Sequence, residues 1–512
     1  MSTGATCVHP HEATTVPQWI DALAETFGER PCVVSDVGTL SYLDLERESA
    51  VLARGLLAHG IGKGSRIGLL LGNGPAWVMW WAAVSRVGAV CVPMSTFLQP
   101  AELARVLLHA DLHWLVASRT FLARDFVTLI GAALGGKGQL DGPLLALADA
   151  PFLRTVVLDE SKEQWTRDTN WVVAEGREAR WGGVLKTAQR EVHCDDEALC
   201  IYTSGQSAEP KGVIHSQGSI VGKAHYLRRM FDFNETSYTR ATMPFFWVGG
   251  LVMALFPTMD AGGVTHCAER STWASGAVIG RSTAGQPAAE ERTRQFANIP
   301  ALGMTETFGI YSWGRDVAVP EYPIAAPLDD LQPGFELRLV DDQDGEADDG
   351  VTAQILVRGP TITTRLQKVA RSEAFDADGF YRTGDLGVRE GNRIFFAGRM
   401  HDMIKTSGAN VAPAEVEREI SGLDGVALAV VVGVDDEGVR GQIVTAAVVL
   451  SPGAALSPEE IRHHLQHRLS SYKVPRSIVV FDSIDEIPMT PSMKVRKREL
   501  AALIRSRIEP KN

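Results

Sequence analysis

Apolar residues along the first 160 positions follow two patterns that alternate along the chain. Some recur at the spacing of a helix face, in segments within residues 16–59 and at 75–86. Others form short runs that are typical of strands, and these lie at 38–42, 66–71, 87–93, 113–117 and 155–159. Because strands that alternate with helices favour a mostly parallel sheet, the pattern predicts a large α/β domain.

The last third of the chain predicts smaller structures. Residues 337–340 and 353–357 have the composition of strands in a second, β-rich sheet. Beyond residues 399–401 the pattern predicts a compact α+β unit of ordinary domain size. Its predicted elements are helices at 413–420 and 458–469 and strands at 427–434 and 443–450. We therefore predict an N-terminal domain at residues 1–400 and a small C-terminal domain at residues 401–512.

The composition is that of a globular protein. The 512 residues are 45% hydrophobic and 22% charged, which suits two or three domains with buried cores. The net charge of −12 argues against a nucleic-acid partner, since such proteins usually present a basic face to phosphates. The most apolar stretch, residues 67–94, is interrupted by Asn73, Pro75 and Arg86, so we expect no transmembrane segment. The six cysteines form no C-x-x-C pair, so we expect them to be reduced. No signal peptide is evident, so we expect a cytoplasmic protein.

A loop rich in hydroxyl groups and glycine lies between Tyr202 and Gly212, directly after an apolar strand. Backbone N–H groups in such a loop can surround a phosphate, and a lysine adds a movable positive charge. The candidate phosphate-binding residues are Thr203, Ser204, Gly205, Gln206, Ser207 and Lys211. The loop is not a Walker A motif, and taken alone it is more typical of an ordinary loop.

Two further motifs place a carboxylate beside a hydroxyl group or a glycine turn. In Gly303–Thr307, Thr305 and Glu306 suit a nucleotide phosphate and its Mg²⁺, which binds one or two carboxylates and keeps its waters. In Tyr381–Gly387, Asp385 follows a tight glycine turn and can bind both hydroxyl groups of a ribose. A helix cap and a plain turn are the structural alternatives for these two motifs.

The last two motifs are polar segments that contain lysines. The segment Gly398–Gly408 includes Arg399, His401 and Lys405, and the loop Thr490–Lys494 ends in a lysine. A loop lysine can neutralise the charge that develops when a carboxylate attacks an α-phosphate. Taken alone, each segment is more typical of a polar interdomain loop or of a solvated surface loop.

With these five motifs in this order, the chain resembles the adenylate-forming superfamily from about Val16 to its C-terminus. That superfamily comprises acyl-CoA synthetases, firefly-type luciferases and peptide-synthetase adenylation domains. The resemblance implies a large N-terminal domain, a small mobile C-terminal domain and an AMP-forming acid–thiol ligase. Such a ligase would use ATP, Mg²⁺ and coenzyme A to convert a small carboxylic acid into acyl-AMP and then into acyl-CoA.

The resemblance also implies a role for each nucleotide motif. The loop from Thr203 to Lys211 would hold the β- and γ-phosphates. Thr305 would contact the α-phosphate, and Glu306 would bind Mg²⁺. Asp385 would hold the ribose, assisted by Arg399.

The C-terminal motifs would serve two successive steps. Lys494 would act in adenylation, whereas the segment Lys405–Gly408 would enter the site for thioester formation. The resemblance implies that these groups do not line one site at the same time, so the C-terminal domain would rotate about a hinge at His401.

An aromatic segment, Met243–Gly250, corresponds to the acyl pocket of the superfamily. Members that activate amino acids have an aspartate here, and its absence argues against an α-amino-acid substrate and favours a fatty or other apolar acid. The start of a core helix is the structural alternative. The implied pocket residues are Phe246, Trp247, Gly249 and Gly303, and Trp247 stands where histidine is common.

The chain departs from the superfamily pattern in two places that bear on activity. Residues 263–303 are much shorter than the usual segment, which carries more of the parallel sheet and a strand that packs on adenine. Gln206 stands where a hydroxyl group is usual. These departures leave open a catalytically impaired homologue with a binding role. An acyl-AMP ligase that delivers to a carrier protein also fits the motifs, and whether the chain forms a homodimer stays open.

Overall fold

A computed structural model of the chain divides into two compact units. The structure describes residues 12–135, 140, 142–203, 210–267, 278–281, 301–313, 325–328, 330–341, 344–400, 404–406, 409–411, 413–436, 441–489 and 495–508. Unit 1 comprises Met1–Thr96, Leu107–Tyr202 and Gly212–Gly398. Unit 2 comprises Phe97–Val106, Thr203–Lys211 and Arg399–Asn512.

The described residues form helices distributed along both units. In chain order they are α1 (Val16–Phe27), α2 (Tyr42–Ala58), α3 (Pro75–Arg86), α4 (Pro100–His109), α5 (Phe126–Ala133), α6 (Thr169–Gly176), α7 (Arg180–Arg190), α8 (Gln217–Met230), α9 (Val248–Gly250), α10 (Phe256–Asp260), α11 (Arg371–Ala374), α12 (Pro413–Ser421), α13 (Pro458–Arg468) and α14 (Lys497–Ile508). A π-helical turn spans Leu251–Leu255, and 3₁₀ turns span Thr305–Thr307 and Ile484–Glu486. None of these helices has the length and hydropathy needed to cross a bilayer.

Strands alternate with the helices in unit 1 and form a separate sheet in unit 2. They are β1 (Pro31–Ser35), β2 (Gly38–Ser41), β3 (Arg66–Leu70), β4 (Val90–Pro93), β5 (Trp114–Ala117), β6 (Thr120–Phe121), β7 (Arg124–Asp125), β8 (Thr155–Leu158), β9 (Arg167–Asp168), β10 (Glu197–Thr203), β11 (Lys211–Ser216), β12 (Ser237–Arg240), β13 (Val264–Cys267), β14 (Val278–Arg281), β15 (Ala301–Met304), β16 (Gly309–Trp313), β17 (Ala325–Pro327), β18 (Glu336–Val340), β19 (Thr352–Arg358), β20 (Arg365–Leu366), β21 (Tyr381–Glu390), β22 (Arg393–Arg399), β23 (Ile404–Thr406), β24 (Ala409–Val411), β25 (Val426–Asp435), β26 (Gln442–Leu450) and β27 (Ser477–Phe481).

The largest sheet has eight strands in the order β20-β11-β10-β4-β3-β5-β8-β9. Its central strands pair in parallel, and β3, β4, β5 and β8 are buried along their whole length, as expected of a parallel sheet covered on both faces. The predicted parallel α/β sheet is therefore confirmed. The strand predicted at 87–93 was placed too early, because Val87 caps α3 and Gly88 has a φ of +69°, so β4 begins at Val90.

Unit 1 also contains two five-stranded sheets and the two-stranded pairs β6-β7 and β15-β16. One five-stranded sheet has the order β14-β12-β13-β1-β2, and the other, the predicted β-rich sheet, has the order β17-β22-β21-β19-β18. The strands predicted at 337–340 and 353–357 are confirmed as the antiparallel neighbours β18 and β19. Of the shortened segment at residues 263–303, the described residues comprise little more than β13, β14 and the start of β15.

A row of aromatic side chains connects the helices of unit 1 to the 3₁₀ turn at Thr305–Thr307. The ring centroids of Trp19 and Trp81 lie 6.4 Å apart, those of Trp81 and Phe256 4.9 Å, and those of Phe256 and Phe308 6.2 Å. The row ends at His215, whose ring lies 4.5 Å from that of Phe308. Aromatic pairs at these spacings contribute beyond their buried area, so the residue that follows the turn is firmly packed.

His215 is fully buried within β11, and its environment opposes protonation. Burial lowers the pKa of the imidazole to about 3, although its hydrogen bond to the Thr305 carbonyl and the nearby Glu306 favour the charged form. Lys223 acts in the same direction as burial. The imidazole is therefore neutral at physiological pH.

Unit 2 contains the sheet β25-β26-β27 and a buried ion network. The Lys473 side chain donates to Glu102 at 2.9 Å and to Glu415 at 3.0 Å, and the Ser470 hydroxyl donates to Glu102 at 2.8 Å. Burial by itself lowers the pKa of Lys473, but Tyr472, Glu102 and Glu415 outweigh it and raise the pKa. Both carboxylates are buried as well, so each of the three charges depends on the others.

We expect Lys473→Met to lower the free energy of unfolding of unit 2 by about 3 kcal/mol, because removal of one partner leaves buried charges without compensation. Urea unfolding followed by limited proteolysis within residues 413–508 measures the change. Arg496→Met is the matched control, since Arg496 of unit 2 pairs with Glu499 at 3.0 Å but both side chains are exposed. The control substitution should lower the free energy of unfolding by less than about 1 kcal/mol. Equal losses in the two variants would contradict a stabilising role for the buried network.

The buried histidine predicts a specific loss of stability in acid. Below about pH 6.5 the His215 of the unfolded chain gains a proton, whereas the folded form stays neutral until about pH 3, so the unfolding free energy falls as the pH falls through this window. When the pH is lowered from 7 to 5, the unfolding free energy of His215→Gln should fall by about 2 kcal/mol less than that of the parent protein. Thermal and urea midpoints at the two pH values measure the difference, and parallel losses would contradict a neutral buried imidazole.

Candidate functional site

The predicted motif Gly303–Thr307 forms the end of β15 and a short 3₁₀ turn before β16. The Thr307 hydroxyl closes this turn, because it accepts from the Met304 N–H at 3.0 Å and donates to the Gly309 carbonyl at 2.6 Å. Phe308 then adopts a left-handed conformation with φ of 53°, which reverses the chain into β16. The motif thus presents Thr305 and Glu306 from a tight hairpin.

Other segments of unit 1 hold the backbone of the turn in place. Each of its three carbonyl groups accepts a hydrogen bond from a different residue outside the hairpin. The bonds run from His215 Nε2 to the Thr305 carbonyl at 2.8 Å, from Thr363 N–H to the Glu306 carbonyl at 2.6 Å and from Thr361 Oγ1 to the Thr307 carbonyl at 3.1 Å. A turn bonded on all sides is pre-organised, so its side chains can meet a ligand with little rearrangement.

The carboxylate of Glu306 is partly buried and oriented by Tyr381. The Tyr381 hydroxyl donates to Glu306 Oε1 at 3.1 Å, and Tyr381 itself is buried at the start of β21. Among the described residues, no group of three or more His, Cys, Asp and Glu side chains is arranged to hold a metal. A single oriented carboxylate fits Mg²⁺ all the same, because this ion takes one or two carboxylates and fills its other positions with phosphate oxygens and water.

Asp385 lies at a bulge in β21 and is 6% exposed. The register with β19 shifts where Ile355 stands opposite, and Gly384 has a φ of 72°. The Thr383 hydroxyl fixes the bulge, because it donates to the Ile355 carbonyl at 2.5 Å and accepts from the Asp385 N–H at 3.0 Å. Bulges redirect side chains and are common beside active sites. The sequence predicted a tight glycine turn before the carboxylate, and the structure has a bulge within the continuous strand β21 at this place.

Contacts within the β-rich part of unit 1 place Asp385 and the Thr305–Thr307 turn in one neighbourhood. Tyr311 follows the turn in β16, and its pKa is raised by burial and further by the carboxylate of Asp385. Tyr381 precedes Asp385 in β21 and reaches Glu306. Tyr381 thus links the Thr305–Thr307 turn to β21, the strand that carries Asp385.

The remaining predicted nucleotide residues are described only in part. Thr203 ends β10 and Lys211 begins β11, and both are partly buried. Lys405 is exposed in the hairpin of β23 and β24, where its N–H donates to Gln442 Oε1 at 3.2 Å. Arg399 ends β22, but its side chain lies outside the described residues. Also outside them are Ser204, Gly205, Gln206, Ser207, His401 and Lys494.

The side chain of Asn73 makes two hydrogen bonds to the backbone of the predicted pocket segment, Met243–Gly250. Its amide donates to the Met243 carbonyl at 2.9 Å, and its side-chain oxygen accepts from the Phe245 N–H at 2.8 Å. The tight path requires glycine, because a Cβ at Gly250 would lie 2.1 Å from the Pro244 carbonyl oxygen. The segment is therefore rigidly placed in unit 1.

The predicted pocket residues differ in exposure. Trp247 is partly buried before α9, and its ring meets that of Phe246 edge-on at 5.6 Å, whereas Phe246 is 4% exposed. At Gly249 a Cβ would lie 2.8 Å from the Met243 sulfur, and at Gly303 it would lie 2.7 Å from the Ile310 Cα. Glycine is required at position 303, where the neighbours are backbone atoms, whereas the Met243 side chain could move aside at position 249, and the role of both glycines in a pocket stays a prediction.

Sequence reasoning missed the residues that position the site. His215, Thr361, Thr363 and Asn73 were not candidates, although each bonds to a predicted motif. A signal was present at His215, because a histidine within the apolar strand Val213-Ile214-His215 must satisfy its polar atoms in the interior. The sequence gives no comparable signal for which carbonyl such a residue would bind.

The chain matches known proteins along nearly its whole length. Residues 20–279 match the AMP-binding enzyme family, and residues 415–494 match the AMP-binding enzyme C-terminal domain. Similar curated proteins include medium-chain acyl-CoA ligase ACSF2, mitochondrial, of Danio rerio, at 24% identity over 96% of this chain and 88% of the relative. The sulfoacetate–CoA ligase of Cupriavidus necator is 27% identical over 95% of this chain and 99% of the relative.

The fold is that of solved adenylate-forming enzymes. The structure of the amide bond synthetase McbA from Marinactinospora thermotolerans has a TM-score of 0.75 at 21% identity, covering 94% of this chain and 99% of that one. The predicted fold class, with a large N-terminal sheet structure and a smaller C-terminal part, is confirmed. The first family match alone spans half of the chain. The chain therefore belongs to the AMP-binding enzyme family of the adenylate-forming superfamily.

Proposed function

We propose that this enzyme activates a fatty or other apolar carboxylic acid with ATP and transfers the acyl group to coenzyme A. The acid carboxylate attacks the α-phosphorus of ATP, which forms acyl-AMP and releases pyrophosphate. The CoA thiolate then attacks the acyl carbonyl carbon, AMP departs, and acyl-CoA forms. The observation that carries the proposal is the immobilised Thr305–Glu306 turn, which Tyr381 connects to the strand that holds the buried Asp385.

The nucleotide roles follow from the chemistry of these three side chains. The Thr305 hydroxyl can donate to an α-phosphate oxygen, and Glu306 can bind Mg²⁺, which when present neutralises phosphate charge. Asp385 can accept hydrogen bonds from both ribose hydroxyl groups, with Arg399 assisting. Donors and acceptors that are fixed before the reaction are worth more than mobile ones, because they need no reorganisation as charge develops.

The phosphate loop and the C-terminal motifs complete the proposed machinery. We assign the β- and γ-phosphates to the loop Thr203–Lys211 and adenylation to Lys494. The segment Lys405–Gly408 serves the thioester step. Because the two steps need different groups of the same small domain, we propose that residues 401–512 rotate about His401 between them.

The acid specificity is assigned to the segment around Trp247. Phe246, Trp247, Gly249 and Gly303 are the proposed pocket residues, and Met243–Gly250 contains no charged side chain that could pair with a polar group of the acid. The name of one relative specifies medium-chain acids, which supports an apolar substrate, whereas another relative is named for sulfoacetate. A panel of acids is therefore needed to define the substrate.

ATP–pyrophosphate exchange with aliphatic, aromatic and sulfonated acids tests the first half-reaction, and added CoA tests the second. Exchange without acyl-CoA formation would favour a carrier protein as the acceptor. Absence of exchange with every acid would favour the impaired homologue that the short segment at residues 263–303 and Gln206 leave open.

We expect Lys494→Ala to reduce ATP–pyrophosphate exchange by about 10²–10³-fold, because one donor that acts on developing charge is removed. Protection against heat by Mg²⁺ and ATP should persist, since the other nucleotide-binding groups are unchanged. Lys497→Ala is the control, because Lys497 lies three residues away and pairs with Glu417 at 3.6 Å. Parental exchange in a folded Lys494→Ala protein would refute the assignment.

We expect Trp247→Ala to change which acids are accepted and to leave the KM for ATP nearly unchanged. Removal of a partly buried indole opens space for bulkier acids. Trp171→Ala is the control, because Trp171 is also partly buried but its ring stacks on His59 at 3.6 Å. An unchanged acid profile with a lower melting temperature would show that Trp247 only packs the core.

A further inference from the structure

The position of the 3₁₀ turn that presents Thr305 and Glu306 depends on hydrogen bonds from residues outside the hairpin. Within the hairpin, its first carbonyl accepts one closing bond, from the Phe308 N–H to the Thr305 carbonyl at 3.0 Å. The bonds that fix the backbone of the turn to the body of unit 1 come from Thr361, Thr363 and His215, and Tyr381 adds a bond to the Glu306 side chain. Within this set, His215 is the donor that binds Thr305, the residue whose hydroxyl group is assigned to the α-phosphate.

His215 is set firmly enough to act as an anchor. It lies in β11, whose neighbour β20 pairs with it through Val213 and Ile214, and it is fully buried. The centroid of its ring lies 4.5 Å from that of Phe308. The imidazole is therefore held by this ring contact as well as by the hydrogen bond of Nε2. An apolar side chain could also pack against Phe308, but it could not donate to the Thr305 carbonyl.

The hydrogen-bond pattern also defines the protonation state of the ring. Nε2 lies 2.8 Å from a carbonyl oxygen, so it carries the proton. Within the described residues Nδ1 has no hydrogen-bond partner, and an imidazolium would bury a second N–H there without an acceptor. Glu306 and Lys223, the charged groups near the ring, oppose each other in their effects on protonation. The neutral Nε2–H tautomer is therefore the donor.

We propose that His215 is a positioning residue for the nucleotide site: its Nε2–H holds the Thr305 carbonyl and thereby sets where the Thr305 hydroxyl and the Glu306 carboxylate meet phosphate and Mg²⁺. The role rests on the proposed function, since it presumes that these two side chains bind MgATP. His215 itself touches no substrate. It acts through the backbone of the turn, while Thr363 and Tyr381 hold the Glu306 end.

Loss of the donor should therefore misplace the Thr305 end of the turn and spare the fold. Some residues do not touch the ligand but hydrogen-bond to the groups that do. Removal of such a residue typically lowers affinity or activity by about 10–100-fold. A displacement of about 1 Å in a positioned group has a comparable effect on rate. We expect the change in the binding of MgATP and not in the binding of the acid, because none of the described contacts of His215 reaches the Met243–Gly250 segment.

The test compares His215→Leu, which removes the donor, with His215→Gln, whose amide keeps an N–H. His59→Leu is the control, since burial also lowers the pKa of His59 but its ring packs on Trp171 away from the turn. Three quantities are measured for each protein: the KM for ATP and the Mg²⁺ midpoint in ATP–pyrophosphate exchange, and the thermal shift produced by ATP and Mg²⁺ without acid. The last needs no catalysis.

We expect His215→Leu to raise the KM for ATP and the Mg²⁺ midpoint by about 10–100-fold and to reduce the ligand-induced thermal shift, with the KM for the acid nearly unchanged. His215→Gln should recover part of each, and His59→Leu should match the parent protein in all three. If His215→Leu loses stability or kcat but keeps the parental KM for ATP and Mg²⁺ midpoint, the positioning role is wrong. If the parent protein shows neither exchange nor a nucleotide-induced shift, the proposed function fails, and the role of His215 fails with it.

Discussion

The three carbonyl groups of the Thr305–Thr307 turn are each bonded to a donor outside the hairpin, and the geometry of the candidate site depends on this arrangement. The donors are not independent. Thr363 donates its N–H to Glu306 and its hydroxyl to the Ile214 carbonyl at 2.8 Å, next to His215 in β11. The edge of the eight-stranded sheet and the turn are therefore joined through one short segment. Because the neighbours share partners, a change in one bond is felt by the others.

The apolar interior of unit 1 supports this network, and buried polar groups pin its elements together. Asp260 is fully buried and accepts from the Trp19 indole at 3.0 Å and interacts with His225 at 2.7 Å, which joins α1, α8 and α10. The Tyr42 hydroxyl donates to the Gly263 carbonyl at 2.7 Å and ties α2 to the same region. Groups of this kind add little net stability when paired, but they are costly to leave unpaired, so they favour one arrangement of the helices over others.

Local patterns in the sequence predicted the elements well and their long-range partners poorly. The helix Pro75–Arg86 was predicted at its observed bounds, because a proline at its start and a glycine beyond its end mark both termini. Thr305, Glu306 and Asp385 were candidates because five motifs in order resemble the adenylate-forming superfamily, and their roles stay predictions. His215 and Thr361 were not, since a buried polar residue shows only that a partner exists. The roles of the loop at 204–207, of His401 and of Lys494 stay predictions.

The ion network of unit 2 bears on the order in which the molecule folds during synthesis. Glu102 and Lys473 lie 371 residues apart in sequence, yet their side chains form one buried pair. At typical translation rates the carboxylate leaves the ribosome about 20–75 s before its ammonium partner. Throughout that interval Glu102 must stay hydrated, and the stretch Phe97–Val106 cannot adopt its final environment. Most of unit 1 can collapse on the nascent chain, but unit 2 is completed only as the last residues emerge.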